Sequence, residues 1–166
     1  MVKKCLLILL VLLCMSACTS KEEKHFPFLE ANMICLKVFM GLLDMYEYAG
    51  NEIALEIAEN FADWFYDWTG RFSREEMNDI LDFETGGRLE IWVELFAVTG
   101  KEKYKTLMER YYRERLFDPL LRGEDVLTNM HANTTIPEVI GCARAYDVTG
   151  DEKWRTIAEN YWKLAV

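Results

Sequence analysis

Apolar residues recur along most of this chain at the three-to-four-residue spacing of an amphipathic α-helix. The pattern appears in three segments that each run up to a glycine, and a second amphipathic stretch follows each glycine. The glycines lie 50 residues apart, at Gly50, Gly100 and Gly150. Alternating patterns typical of strands are nearly absent. The sequence therefore predicts an all-α fold of about six main helices arranged as three helical hairpins.

The 50-residue repeat indicates how these hairpins assemble. A repeat of this length is typical of stacked supersecondary units that share one continuous core. Each glycine suits the left-handed position that ends a helix, and Asn51 and Asp151 suit the N-cap of the helix that follows. The pattern of Ser73 with Glu76 predicts a further capping box, and so does that of Thr135 with Glu138.

Loops are expected near residues 67–73, 83–88 and 117–135. The last two each precede the first helix of the next hairpin, whereas tight glycine turns lie at the other end. Long loops that gather on one face of a repeat array are a common place for a pocket.

The amino terminus predicts export. Residues 1–17 combine a basic start with a short apolar run typical of a signal peptide. Ser16 and Ala17 precede Cys18 as in a bacterial lipobox, so Cys18 is expected to carry lipid and hold the protein at a membrane, on its periplasmic or cell-surface face. An ordinary signal peptide that is cut nearby is the alternative. Residues 18–28 then form a tether, and residues 29–166 form the domain.

Charge composition argues against a nucleic-acid partner. The formal net charge is −9, and no cluster of Lys and Arg is visible, so we expect no nucleic-acid partner. Within the predicted domain, Cys35 and Cys142 both fall in apolar helical patterns, which favours two buried thiols. The sequence leaves open whether they form a disulfide, and their spacing is not that of a zinc site.

The first candidate binding segment is "ETGGRLE". It places Glu84, Arg88 and Glu90 around two adjacent glycines. The glycines permit a sharp turn or a close approach to a ligand, and the carboxylates could accept hydrogen bonds from sugar hydroxyls. The alternative is a structural loop, with Glu90 in the first turn of a helix, where acidic residues are favoured.

The second candidate segment is "NMHANTTIPE". His131 and Asn133 offer an imidazole and a carboxamide two positions apart, and both groups can donate and accept hydrogen bonds to a polyol. The alternative is that they bind loop carbonyls and cap the next helix. Of the five tryptophans, at least four are expected to pack in the core.

Three motifs in order resemble one family. They are "GLLDMYEYAGNEIALEIAENFADWF", "ETGGRLEIWVELFAVTGKEKY" and "RERLFDPLLRGEDVLTNMHANTTIPEVIGCARAYDVTGDEKWRTIAENYW". Together they resemble glycoside hydrolase family 127, the bacterial β-L-arabinofuranosidases, over roughly residues 33–166. Arg88 departs from the pattern, which has Met at this position.

The resemblance implies an (α/α)6 toroid that hydrolyses L-arabinofuranosides or related plant-glycan sugars with retention. It also implies a cysteine thiolate nucleophile, a glutamate acid/base and a zinc ion held by cysteines and that glutamate. Sugar contacts are implied for His131, Asn133, Glu84, Arg88 and Glu90.

The resemblance covers only the first part of the family's catalytic domain, about half of the toroid. The nucleophile and the acid/base of the family fall beyond Val166, and no catalytic role is assigned to Cys35 or Cys142. We therefore expect a truncated glycosidase that is inactive alone, with no metal site and no cofactor of its own. The alternative is a lipid-anchored helical-repeat module that binds glycan or pairs with a separate second half.

Overall fold

A computed structural model of the chain describes residues 28–83 and 85–166, where every regular element is an α-helix. The predicted all-α fold is confirmed. The segment predicted as signal peptide, Cys18 and the tether up to residue 27 lie outside the described residues. The described helices are α1 (Phe28–Ala49), α2 (Glu52–Thr69), α3 (Arg74–Phe83), α4 (Arg88–Thr99), α5 (Glu102–Arg110), α6 (Glu114–Leu121), α7 (Ala132–Thr149) and α8 (Glu152–Ala165).

The three marker glycines end α1, α4 and α7 with one shared geometry. Their φ angles are +62°, +67° and +69°, a region that side chains other than glycine rarely adopt. Each glycine amide donates to the carbonyl four residues earlier, over 2.8–3.0 Å. Asn51 then caps α2 by accepting from the Ala54 amide, and Asp151 caps α8 by accepting from the Lys153 amide. The predicted turns and both N-caps are confirmed.

The hairpins stack side by side in two layers. The first helices of the hairpins form one layer, in which α4 packs against both α1 and α7. The second layer contains α2, α5, α6 and α8, in which α2 packs on α5 and α6 packs on α8. Ion pairs link successive units across this second layer, as between Lys103 and Asp63 and between Lys153 and Glu109.

The core lies between the two layers and is rich in aromatic rings. Trp92 of α4 is fully buried, and its ring centroid lies 5.4 Å from those of Phe39, Phe65 and Tyr111. Four of the five tryptophans are buried or pack against this core, as expected, whereas Trp162 is 67% exposed. Cys35 and Cys142 are both buried thiols.

One predicted capping box is confirmed and the other is wrong. The Ser73 amide and hydroxyl both donate to the Glu76 carboxylate, at 2.9 and 3.0 Å. Thr135, in contrast, lies inside α7, and the N-cap of that helix is His131. Glu138 does not form a capping box, because its carboxylate accepts hydrogen bonds from Thr85 and Arg113 of the preceding unit.

The expected loop at residues 117–135 is shorter than predicted. Helix α6 extends through Pro119 to Leu121, with the buried face Leu116, Phe117 and Leu120. Pro119 lies past the first turn, so α6 loses one internal hydrogen bond there, and burial of its apolar face offsets that loss.

Candidate functional site

The two candidate segments lie next to each other in the folded chain. The turn before α4 holds Gly86 and Gly87, and a Cβ atom built on Gly87 would lie 3.6 Å from Cβ of Pro137 in α7. Leu36 of α1 packs within 3.5–3.7 Å of the same positions. The amino-terminal ends of two neighbouring first-layer helices therefore form one surface, with α1 beside it.

His131 and Asn133 are exposed at the start of α7. The His131 carbonyl accepts from the amides of Thr134 and Thr135, at 3.0 and 3.1 Å, which fixes the backbone there. The His131 side chain makes no capping hydrogen bond. Both polar side chains therefore face solvent, and their donor and acceptor atoms are accessible to a ligand. The alternative in which the imidazole caps the helix is wrong.

Glu90 lies in the first turn of α4 and is half-buried. Loss of hydration raises the pKa of its carboxyl, Glu94 adds to this effect, and Arg144 opposes it. Arg144 of α7 donates to both oxygens of Glu94, at 2.5 and 3.1 Å. Glu47 of α1 is close enough to affect Arg144 as well. The first layer is thus acidic at this position, where the Arg144 guanidinium lies among the carboxylates of Glu47, Glu90 and Glu94.

Glu90 is positioned by a close helix crossing. A Cβ atom on Gly141 of α7 would lie 2.9 Å from the Glu90 amide nitrogen and 3.0 Å from Cβ of Leu89. Only a residue without a side chain permits this approach. The crossing keeps α4 and α7 in contact directly beneath the surface formed by the two segments.

The structure does not bring every predicted residue to that surface. Arg88 is 2% exposed and points into the core, where its guanidinium lies over the rings of Phe65 and Tyr111. It therefore does not share a face with His131 and Asn133. Glu84 lies outside the described residues.

A buried polar network beneath the surface was missed from the sequence. The hydroxyl of Thr85 donates to Glu138, and Arg113 donates to both Glu138 and Asp82, at 3.1 and 2.7 Å. Burial of Glu138, only partly offset by Arg113, raises the pKa of its carboxyl to about 7. The 50-residue repeat could have indicated that Glu138 is a buried charged residue, because it aligns Glu138 with Arg88 of the preceding unit, which is also charged and buried.

The described residues do not fit a zinc site. In the ranges 28–83 and 85–166, no group of three or more His, Cys, Asp or Glu side chains could hold a metal ion. Burial, reinforced by nearby Glu138, raises the pKa of the Cys142 thiol well above its usual range, which disfavours the thiolate that zinc requires. Among the same residues, no helix combines the length and apolarity needed to cross a membrane.

Comparison with protein families identifies the fold. The profile described as "Beta-L-arabinofuranosidase, GH127 catalytic domain" matches residues 17–166, which is most of the chain. The chain belongs to the GH127 family. A comparison with curated protein sequences finds no match.

GH127 membership accounts for the architecture described above. The catalytic domain of the family is an α/α toroid, and the helical hairpins of this chain form an amino-terminal part of such a domain. Membership also makes carbohydrate the expected class of ligand. The match begins at residue 17 and so includes residues 18–28, the segment predicted as a tether.

Proposed function

We propose that this chain forms part of the sugar-binding site of a retaining glycosidase that acts on β-L-arabinofuranosides or related plant-glycan sugars. The observation that carries the proposal is the meeting of the "ETGG" and "HANTTIP" segments, with Gly87 against Pro137 at the ends of α4 and α7. Two segments 50 residues apart in sequence thereby come into contact; residues 85–89 of the first are buried, and the exposed polar side chains are His131 and Asn133 of the second.

The exposed groups suit a polyol. His131 and Asn133 supply donors and acceptors that no described residue uses. Glu90 supplies a half-buried carboxyl near Gly87, with Oε2 3.8 Å from a Cβ built on that glycine. Sugar hydroxyls both donate and accept, so neutral imidazole and carboxamide groups match them without adding charge.

We further propose that hydrolysis needs groups beyond residues 1–166. Cys142 is fully buried, and its thiol is disfavoured from ionising, so it is a poor nucleophile. Cys35 is also buried. We propose that the thiolate, the acid/base glutamate and the zinc ion that the family implies are supplied from outside residues 1–166, and that this chain alone is inactive.

Ligand binding tests the first part of this proposal. We expect His131→Ala and Asn133→Ala to weaken binding of an arabinofuranosyl oligosaccharide by tenfold or more, measured by NMR titration, without lowering the unfolding midpoint. His25→Ala is the matched control, because it removes the other imidazole of the chain. Equal binding by all three variants and the unchanged protein would show that this surface is not the sugar site.

Activity tests the second part. The 166-residue chain should release no nitrophenol from a nitrophenyl β-L-arabinofuranoside above the rate of a blank. Turnover that survives purification and disappears in Cys142→Ser would show that the nucleophile lies in this chain after all.

A second candidate function rests on the exposed flank of α7 and α8. Trp162 is 67% exposed, whereas the residue at the same position of the preceding unit, Tyr112, packs against Phe117 and Trp154. A surface of this kind suits contact with a further helical hairpin. We propose as the alternative a lipid-anchored module that binds glycan or pairs with a separate second half.

Export and lipid anchoring are part of both candidates. We propose that Cys18 carries the lipid and that the domain lies on the periplasmic or outer face of a bacterial membrane. Radiolabelled palmitate should enter the unchanged protein and not Cys18→Ser. Label that persists in Cys18→Ser would exclude this anchor.

A further inference from the structure

Arg88 is a buried cation that lacks a carboxylate partner among the described residues. Its side chain donates one hydrogen bond, from Nη1 to the Tyr111 hydroxyl at 3.2 Å. A second buried arginine, Arg113, differs, because it pairs with the carboxylates of both Asp82 and Glu138. Of these two buried arginines, Arg113 is therefore compensated by carboxylates, whereas Arg88 has no described carboxylate partner.

Three buried donors of two neighbouring side chains lack an acceptor in the described chain. They are Nε and Nη2 of Arg88 and Nε1 of Trp92, each out of contact with solvent. Arg88 and Trp92 lie one turn apart on α4 and face the same two rings. The guanidinium carbon lies 5.3 Å from the Phe65 centroid and 5.8 Å from that of Tyr111, and the Trp92 ring lies 5.4 Å from each.

An arrangement of this kind is unfavourable unless something accepts these hydrogen bonds. A buried donor without a partner loses its hydration and gains nothing in return. A buried charge without a counter-charge is more unfavourable still. The Tyr111 phenol does not supply that charge, because burial raises its pKa and keeps it neutral.

We propose that a small monovalent anion, of the size of chloride, binds between Arg88 and Trp92 in the core. The Arg88 nitrogens Nε and Nη2 and the indole N–H donate to it. An internal water molecule could accept these bonds but would leave the positive charge uncompensated. A larger anion such as a sugar carboxylate would have to enter a site closed by Phe65, Tyr111 and the helices that carry them.

Anion-dependent stability of the full chain tests this proposal. At constant ionic strength, replacing gluconate by chloride should raise the unfolding midpoint along a saturable curve. The expected rise is about 2–4 °C once chloride exceeds its dissociation constant about fivefold. Arg88→Met removes the charge at similar length and should abolish the response.

Arg110→Met is the matched control. Arg110 of α5 is half-buried, and its Nη1 already donates to the Tyr66 carbonyl and the Thr69 hydroxyl. This variant should lose stability and keep the full response to chloride. An equal response in Arg88→Met, or no response in the unchanged protein, would overturn the proposal.

Bromide gives a second measurement that does not depend on whether Arg88→Met folds. Crystals of the unchanged protein grown in bromide should show an anomalous peak beside the Arg88 guanidinium and the Trp92 indole. Peaks at surface positions alone would mean an adventitious ion only, and the proposal would fail.

Two groups of the chain itself could act as the counter-charge instead. Cys35 lies close enough to Tyr111 to influence its pKa, and Glu84 precedes Arg88 by four residues. If either ionised group filled this role, the unchanged protein would not respond to chloride, and a response would emerge only in Cys35→Ser or Glu84→Gln. That result would overturn the proposal and name the internal partner.

Discussion

Replacing Glu138 by Gln should remove a large part of the pH dependence of stability. The Glu138 side chain is 3% exposed, and the pKa of its carboxyl is raised from 4.5 to about 7, chiefly by burial. A group whose pKa is higher in the folded state stabilises the fold fully below its unfolded pKa. That contribution is lost as the pH rises through the folded pKa.

The magnitude follows from the size of the shift. A change of about 2.5 pKa units, at about 1.4 kcal/mol for each unit, corresponds to about 3 kcal/mol. The free energy of unfolding should therefore fall by up to this amount between pH 4.5 and pH 8 because of Glu138. Gln keeps an acceptor for Thr85 and cannot ionise, so Glu138→Gln should be less sensitive to pH by the same amount.

Urea unfolding followed by tryptophan fluorescence at pH 5, 6, 7 and 8 measures this difference. Glu159→Gln is the control, because hydrogen bonding to Arg155 lowers the pKa of this exposed carboxyl, which gives a small effect of the opposite sign. Parallel pH curves for the unchanged protein and Glu138→Gln would refute the reasoning. They would mean that Arg113 compensates the buried charge fully and that the carboxyl stays ionised.

Three further changes test the packing and the helix ends. Gly141→Ala should destabilise the fold by about 1–3 kcal/mol in urea unfolding, because the new Cβ would overlap the backbone of Glu90 at 2.9 Å. The control is Gly41→Ala, whose new Cβ would meet nothing within 4 Å, so it should stabilise α1 by about 0.5–1 kcal/mol. If Gly41→Ala were instead the less stable of the two variants, the packing described would be contradicted. Ser73→Ala should cost about 1 kcal/mol in the same assay by removing the cap of α3, and no loss would mean that this helix end is held by other contacts.

Much of the fold was predictable because its signals are local. Helical spacing of apolar residues, the left-handed glycines and the caps at Asn51 and Asp151 each act within a few residues of one chain segment. The three hairpins and their turns therefore follow from the sequence, and so does the 50-residue register. The exposure of His131 and Asn133 agrees with their position at the start of a helix.

The partners of buried polar groups depended on the tertiary structure. Thr135 and Glu138 have the spacing of a capping box, yet Glu138 binds Thr85 and Arg113, which belong to the preceding unit. Local spacing cannot reveal such partners, because they come from segments 25 and 53 residues away. A buried carboxylate gains more from a guanidinium than from an exposed amide.

The sequence by itself therefore determined the main helices of the three hairpins, their glycine turns and the 50-residue register, whereas most of α6 lies where a loop was expected. Tertiary structure alone decided which motif residues share a surface. Arg88 and Glu90 are two positions apart on one helix, yet Arg88 is buried in the core and Glu90 is half-buried near Glu94 and Arg144. The physical reason is that helix geometry sets the direction of each side chain, whereas the packing of neighbouring helices decides which of those directions meets water, a charge or another ring.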